Sequence, residues 1–297
     1  MSLEDRYGIY SRPAHLASET WVDFELRTSL QLLASMEAEL KKLRLRVIKE
    51  RVHKSRVSLR RWFSVWSFLA EEGWEEKKFR KKVLRPLREF LKELGALRDC
   101  DVNIEIAEKL KCDDETLEDL EKARKRLKRR IDRALSQINP EELSRAIEKF
   151  LTRRAEELRE FIKSKPDLDH SAFAHFDRYL GAHEEQVKKV AERASTPESL
   201  HKLRLSIKKW RYLLTECMGL TNLNLVRAQT VLGEIHDFDR LQPELELHPV
   251  GDAAALARLH DERLQLVNEF ELLKKDLPYG LRPGLISYPP PGNSDLK

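Results

Sequence analysis

The strongest constraint on the fold is a ten-residue phrase, rich in cations, that occurs twice. It is written HKSRVSLRRW at residues 53–62 and HKLRLSIKKW at residues 201–210, with five identical positions. A second phrase follows each copy, LGALRDCD at residues 94–101 and LGEIHDFD at residues 232–239. Two phrases repeated in the same order indicate an internal duplication. The chain should therefore present one kind of histidine-and-arginine helix twice.

Each ten-residue phrase is predicted to form an amphipathic helix with a cationic face. Thr196 and Pro197 form a typical helix start before the second copy. At about 100° per residue, the basic residues of that copy fall on one side of the helix and the apolar residues on the other. The cationic face of the second copy contains His201, Arg204, Lys208 and Arg211.

The first copy extends the cationic face toward the N-terminus. Its basic residues follow one another at intervals of 4, 3, 4, 3 and 4, and they are Lys42, Arg46, Lys49, His53, Arg56 and Arg60. Like charges at this spacing destabilise an isolated helix by a few tenths of a kcal/mol per pair. A row of this kind predicts that a polyanion binds along it, and a solvated surface helix is the alternative.

The overall charge balance agrees with a local anion site. The net charge of the 297 residues is only +5, but residues 41–98 contain nineteen Lys and Arg against seven Glu. The rest of the chain is acidic, so the positive potential is concentrated in one segment. The segment that corresponds to residues 77–92 in the second half, residues 220–229, is much less basic. More of the anion contacts are expected from the first half.

Composition and periodicity indicate an all-α protein of the cytoplasm. Strand patterns are almost absent, charged residues make up 36% of the chain, and there are only 10 glycines. The three cysteines match no metal or redox spacing, and no secretory signal is present. No apolar run approaches the ~20 residues that span a bilayer. We therefore expect no membrane association and no cofactor, and the sequence does not predict the oligomeric state.

The helical pattern also gives approximate element boundaries. A first helix is predicted over residues 18–70, followed by a basic segment over residues 74–94 that is interrupted at Pro86 and ends at Gly95. Asp99 or Asp101 is predicted to cap the next helix. Later helices are predicted over residues 113–138, 140–163, 169–194, 196 onward, 220–233 and 252–275, before a disordered tail at residues 277–297.

The duplicated phrases resemble the CHAD family, the conserved histidine α-helical domain. The resemblance covers residues 15–275, with one repeat at about 15–165 and the other at about 166–275. It implies two similar four-helix bundles with a basic groove or channel between them, which binds inorganic polyphosphate. Residues 1–40 do not resemble the triphosphatase domain that many relatives carry. The resemblance therefore implies a stand-alone polyphosphate-binding module, which would act at cytoplasmic polyphosphate or at polyphosphate granules.

Position by position, the resemblance implies polyphosphate ligands in both halves. The implied ligands are His53, Arg56, Arg60, Arg61, His201, Arg204, Lys208, Lys209 and Arg211. The upstream cations Lys42, Arg46 and Lys49 extend this set. Phe63 departs from the family, which usually has a basic residue there, so Lys82, Arg85 or Arg88 would have to supply that contact.

Two other functions remain open from the residues alone. A metal-dependent phosphohydrolase could use His236 and Asp237, but the cations close to His53 and His201 would repel a divalent metal. An RNA-binding protein would make the same phosphate contacts, but it needs exposed aromatic side chains for base stacking. Trp62 and Trp210 lie on the apolar sides of their helices and are predicted to pack in the core. The sequence thus favours a non-enzymatic protein that binds polyphosphate without a metal ion.

Overall fold

The computed structural model describes residues 20–71, 74–167, 170–217, 221–248 and 250–280. Within these ranges the fold consists of α-helices, with one isolated antiparallel bridge between Thr20 and Ser171 and no extended strand. The all-α fold class predicted from the sequence is confirmed. No helix in these ranges is both long enough and apolar enough to cross a bilayer.

The described residues form nine α-helices. They are α1 (Trp21–Leu45), α2 (Lys49–Glu71), α3 (Arg85–Lys109), α4 (Asp114–Ser136), α5 (Pro140–Lys163), α6 (Ala172–Glu192), α7 (Pro197–Tyr212), α8 (Leu223–Leu245) and α9 (Ala253–Leu273). A short helical turn, Lys77–Phe79, and a π-helical segment, Arg80–Leu84, lead into α3. A second π-helical segment, Leu213–Cys217, extends α7.

The prediction of one long first helix over residues 18–70 is wrong. The chain leaves the helix at Arg46, whose backbone is extended (φ −164°, ψ 122°), and α2 starts at Lys49. Arg51 donates to the carbonyl of Lys42 at 2.8 Å, and Ser55 donates to the carbonyl of Glu39 at 3.1 Å. These contacts fold α2 back antiparallel to α1. Both helices bury apolar faces, so the 3.6-residue pattern continues through the turn and hides it.

The predicted helix ends at Gly95 and Gly233 are also wrong. Gly95 lies within α3 and Gly233 within α8. Asp99 and Asp101 consequently lie inside a helix and cap nothing. Pro86 lies in the first turn of α3, directly after the π-helical segment, and the chain stays helical on both sides of it.

One large apolar core runs through helices of both halves. Trp62 and Trp66 of α2 stack at 5.4 Å between ring centroids, and Trp210 of α7 is fully buried in the same core. The predicted core positions of Trp62 and Trp210 are therefore confirmed, with 1% and 0% of their surfaces exposed. Since large aromatic side chains contribute most to burial, this core holds α2 and α7 in place.

A second, smaller core joins the far ends of α3, α4, α8 and α9. The buried carboxylate of Asp252, just before α9, accepts from the N–H of Asp113 at 2.6 Å and from the hydroxyl of Thr116 at 2.5 Å. It therefore ties the start of α4 to the start of α9. Because the side chain of Asp252 satisfies donors at the N-terminus of α4, it also acts as a cap supplied from a distant part of the sequence.

The first residues of the predicted tail are packed against the body of the protein. Leu277 is buried, and the ring of Tyr279 stacks on Trp210 at 5.5 Å between centroids. The tail predicted at residues 277–297 therefore starts too early by at least four residues. Residues 281–297 lie outside the described ranges.

Candidate functional site

The two cationic helix faces meet where α2 and α7 contact each other. Helix α2 contributes Arg56 and Arg60, and α7 contributes Arg204 and Lys208. The charges of Arg56 and Arg204 act on each other, and those of Arg56, Arg60 and Arg204 all act on Lys208. We call these four side chains the central cluster. It combines the two copies of the repeated phrase in a single place.

The second repeated phrase makes room for the arginines of the first. A Cβ atom on Gly95 of α3 would lie 3.8 Å from Nε of Arg56, and a Cβ atom on Gly233 of α8 would lie 3.8 Å from Nε of Arg204. Each arginine thus crosses a neighbouring helix at a glycine. The two halves share this arrangement, with each Leu-Gly pair inside a helix.

This contact predicts opposite effects for small and large substitutions at the two glycines. Gly95→Ala and Gly233→Ala should each stabilise the fold by about 0.5–1 kcal/mol, because 3.8 Å is an ordinary contact and alanine is favoured inside a helix. Gly95→Leu should destabilise it by about 1–3 kcal/mol through overpacking against Arg56. Urea unfolding followed by circular dichroism measures both effects. A destabilising Gly95→Ala would contradict the contact.

Two carboxylates face the central cluster. Asp99 of α3 binds Arg56 at 3.4 Å and Arg240 of α8 at 2.5 Å, so it joins the two halves. Asp237 of α8 acts electrostatically on both Arg56 and Arg204. The three arginines of the central cluster and Arg240 outnumber these two carboxylates even when Lys208 is neutral. The site therefore keeps an excess of positive charge in a largely buried position.

Burial of this charge shifts the proton affinities of the cations. Burial lowers the pKa of Lys208 to about 6, and the charges of Arg60, Arg204, Arg56 and Arg211 add to the effect. It also lowers the pKa of Arg60 to about 10, again with help from neighbouring arginines. Lys208 is therefore mostly neutral at pH 7, whereas Arg60 stays charged. An arriving anion would favour the charged form of Lys208.

The histidines lie at the edge of the central cluster. Nδ1 of His201 lies 3.1 Å from Nδ1 of His236, and the two rings are 4.2 Å apart between centroids. Burial lowers the pKa of His236 to about 3, and burial and Arg204 lower the pKa of His201. The pKa of the more exposed His53 is also lowered, by partial burial and by Arg98. In the neutral pair one Nδ1 donates its proton to the other.

Three of the predicted ligands are not part of the central cluster and contact other side chains. Arg61 donates from Nε and Nη2 to both carboxylate oxygens of Glu216 at 2.7 Å, a contact that links α2 to the π-helical segment after α7. Lys209 lies over the ring of Tyr179 at 5.2 Å. Arg211 donates to Gln229 at 2.7 Å. Of the three, Arg211 still contributes its charge to the environment of Lys208.

Of the upstream cations, Lys49 lies on α2 with the first copy, whereas Lys42 and Arg46 lie at the end of α1, before the turn. Lys42 pairs with Glu39 on its own helix at 2.7 Å, and Lys49 pairs with Glu105. Arg46 is exposed at the end of α1.

Lys82, Arg85 and Arg88 lie on the π-helical segment and the start of α3 and are exposed. Arg88 is held over the ring of Phe63, with Cζ 5.4 Å from the centroid. A cation therefore does lie beside Phe63, the position where the resemblance implied a basic residue.

Several residues of the site were not predicted as ligands. Arg98, His236 and Asp237 lie in the second repeated phrase, so the duplication itself was the available signal for them. Arg240 lies one residue beyond that phrase and had no such signal. The last carboxylate of each copy has a structural role: Asp101 pairs with Arg124 of α4 at 2.7 Å, and Asp239 pairs with Arg263 of α9 at 2.6 Å.

A metal site would need at least three His, Cys, Asp or Glu side chains close together. Over the described ranges, no three of these side chains are grouped so that they could hold a metal ion. Asp237, which the phosphohydrolase alternative would use, has a pKa raised by burial and lies between cations.

Comparison with known proteins gives a family match and two similar folds. The family model described as the CHAD domain matches residues 29–246, which include all four repeated phrases. The crystal structure of the CHAD domain from the plant Ricinus communis is 20% identical, with a TM-score of 0.65 over 90% of this chain and 94% of that chain. PptA from Streptomyces chartreusis is 14% identical, with a TM-score of 0.64 over 86% of this chain and 98% of that chain. No curated protein matches the chain.

Proposed function

The chain belongs to the CHAD family, and from that premise we propose that it binds inorganic polyphosphate at the central cluster. The single observation that supports this most is that Arg56, Arg60, Arg204 and Lys208 are largely shielded from water while two carboxylates of the described residues face them. Buried charge is costly unless it is paired. A linear chain of phosphates would supply the missing negative charge at high density, and guanidinium groups bind phosphate oxygens with two donors each.

The surroundings of the cluster favour polyphosphate over RNA. Base recognition requires aromatic faces that are open to the ligand. Of the aromatic side chains near the cluster cations in sequence, Trp62, Trp210 and Tyr212 are exposed by 1%, 0% and 5%. Phe63 is partly buried, and Arg88 lies over its ring at 5.4 Å. The cluster therefore offers contacts to phosphates and none of these rings to a base. The proposed role is binding without catalysis, in the cytoplasm or at polyphosphate granules.

A competition titration between long-chain polyphosphate and single-stranded RNA tests this function. At equal total charge, polyphosphate should bind more tightly at both a low and a moderate salt concentration. Its affinity should fall log-linearly with salt, because neutralised phosphates release counterions. RNA that binds equally well, or a polyphosphate affinity that ignores salt, would contradict the proposal.

The same samples test for catalysis. With Mg²⁺, Mn²⁺ or Zn²⁺ added, polyphosphate recovered after incubation should have its original length on a gel. Metal-dependent shortening that disappears in Asp237→Ala would instead favour the phosphohydrolase.

A further inference from the structure

A second concentration of positive charge lies outside the central cluster. A cavity of about 600 Å³ opens on the surface beside the start of α3. Its cationic lining consists of Lys77, Arg80, Lys81, Arg85, Arg88 and Lys92, and Glu89 is its one acidic side chain among the described residues. We call it the α3 groove. No member of the central cluster lines it.

The cations of the α3 groove are under-paired. Arg85 pairs with Glu89 at 3.0 Å, and Arg80 pairs with Glu75 at 3.3 Å. The other four lining cations have no ion pair within the described chain, and they are Lys77, Lys81, Arg88 and Lys92. Lys77, Lys81 and Arg85 also follow one another at four-residue intervals, a spacing at which like charges repel along a helix. An anion in the groove would relieve this repulsion.

The local backbone brings these side chains to one cavity. Arg80–Leu84 is π-helical, and π-helical turns inside helices are frequent at functional sites. Arg80 and Lys81 come from this segment, while Arg88 and Lys92 come from α3, and all of them line the same cavity. The neighbouring acid Glu93 is paired with Arg130 of α4 and does not line the groove.

The α3 groove begins close to the central cluster. Arg88 lies over the ring of Phe63 at 5.4 Å, and Phe63 is one helical turn beyond Arg60 on α2. A cation of the groove therefore packs on the same helix that provides two cations of the cluster. One flexible polyanion could follow this surface from the cluster into the groove.

We propose that the α3 groove is a second anion site, which binds the part of a long polyphosphate chain that extends beyond the central cluster. This inference rests on the proposed function. All seven described residues that line the groove are charged and none is aromatic. The groove therefore has no ring on which a base could stack, and no apolar anchor for an acidic protein segment. A thin, dense polyanion is the ligand that fits it.

The proposal is tested with two lengths of ligand. The groove variant is Lys77→Gln with Lys81→Gln and Lys92→Gln, three exposed lysines without ion pairs in the described chain. It should bind tripolyphosphate within about twofold of the wild type and long-chain polyphosphate at least about tenfold more weakly. The slope of log affinity against log salt for the long chain should shrink by about two.

A matched variant removes the same charge elsewhere. Lys125→Gln with Lys128→Gln and Arg129→Gln also removes three exposed cations, all from α4. It should bind both ligands as the wild type does. If it weakens the binding of long-chain polyphosphate as much as the groove variant does, only net charge matters and the proposal is wrong.

The remaining outcomes separate this proposal from the proposed function. If the groove variant binds long-chain polyphosphate as tightly as the wild type does, or loses affinity equally for both ligand lengths, the second site is overturned while polyphosphate binding stands. A groove variant that loses only single-stranded RNA assigns the groove to nucleic acid and also overturns it. If the wild type binds neither length, the proposed function itself fails, and the second site fails with it.

Discussion

Replacing Arg56 and Arg60 with alanine should weaken the binding of long-chain polyphosphate by about a hundredfold or more. Two charge-assisted contacts of ~1.5–3 kcal/mol each are lost, and neighbouring cations replace them only in part. Arg204→Ala with Lys208→Ala should weaken the same binding event, because both pairs line one cluster. Calorimetric titration should show one class of site in every variant.

The first pair should have the larger effect. Lys208 is mostly neutral at pH 7 in the free protein, so the free energy of protonating it offsets part of its attraction to the polyanion. The matched control is Lys54→Ala with Lys202→Ala, which alters the second residue of each repeated phrase. Both lysines are exposed, so this variant should bind nearly as the wild type does.

Two results would contradict a composite site. One is two separable binding events in the wild type, each lost in a different pair variant. The other is unchanged binding after loss of the second pair. Helical content measured by circular dichroism should be the same in all variants, since the replaced side chains lie opposite the apolar faces of α2 and α7.

Polyphosphate affinity should fall as the pH rises from 6 to 8. The pKa of Lys208 is about 6 in the free protein, and a bound polyanion raises it. Above pH 6 each binding event must therefore take up a proton. Affinity then declines by up to about tenfold per pH unit for each proton taken up. Below pH 6 Lys208 is already charged, and this contribution to the pH dependence disappears.

The arginines around Lys208 all lower its pKa. Arg56 and Arg60 face it from α2, and Arg204 and Arg211 lie on its own helix. Its Nζ lies 5.9 Å from the ring centre of the buried Tyr212. The pKa in the folded protein lies below the ordinary value of 10.5, so the unfolded chain binds more protons. The contribution of Lys208 to the free energy of unfolding of the free protein should therefore increase with pH between about 6 and 10.5.

Calorimetry at pH 8 in two buffers with different ionisation enthalpies measures the proton uptake. The wild type should take up close to one proton at Lys208, with a further contribution from His53 and His201. Lys208→Arg should remove most of the uptake, because Arg60 in the same cluster remains charged up to about pH 10. No uptake at pH 8 in the wild type would contradict a neutral Lys208.

The sequence predicted the features that depend on local periodicity. The all-α class, the buried Trp62 and Trp210, and the cationic faces with Arg56 and Arg204 follow from side-chain spacing along a helix. The turn between α1 and α2 could not be predicted in this way, because both helices bury the same kind of face. Gly95 was misinterpreted because glycine usually ends a helix, whereas here a neighbouring arginine crosses the helix at that residue.

The contacts between the halves were beyond sequence reasoning. Arg240 pairs with Asp99 and Arg61 pairs with Glu216 across separations of 141 and 155 residues. No local pattern links such residues. The burial of Lys208 is also a tertiary effect, since the helical pattern placed it on a face that a single helix would expose to water. For the same reason the sequence could not show which cations remain available to a ligand.

The apolar core that passes without interruption from α2 to α7 has a kinetic consequence. Trp62 and Trp210 belong to one apolar core, and the Arg61–Glu216 pair joins α2 to the π-helical segment after α7. The two halves share one apolar core in the described chain, so we expect the walls of the central cluster to keep their positions when a ligand binds. Association should then be limited by diffusion in the field of the protein, without a preceding conformational step. Binding of this kind is fast at low ionic strength and slows steeply as salt is added, because electrostatic steering governs the encounter.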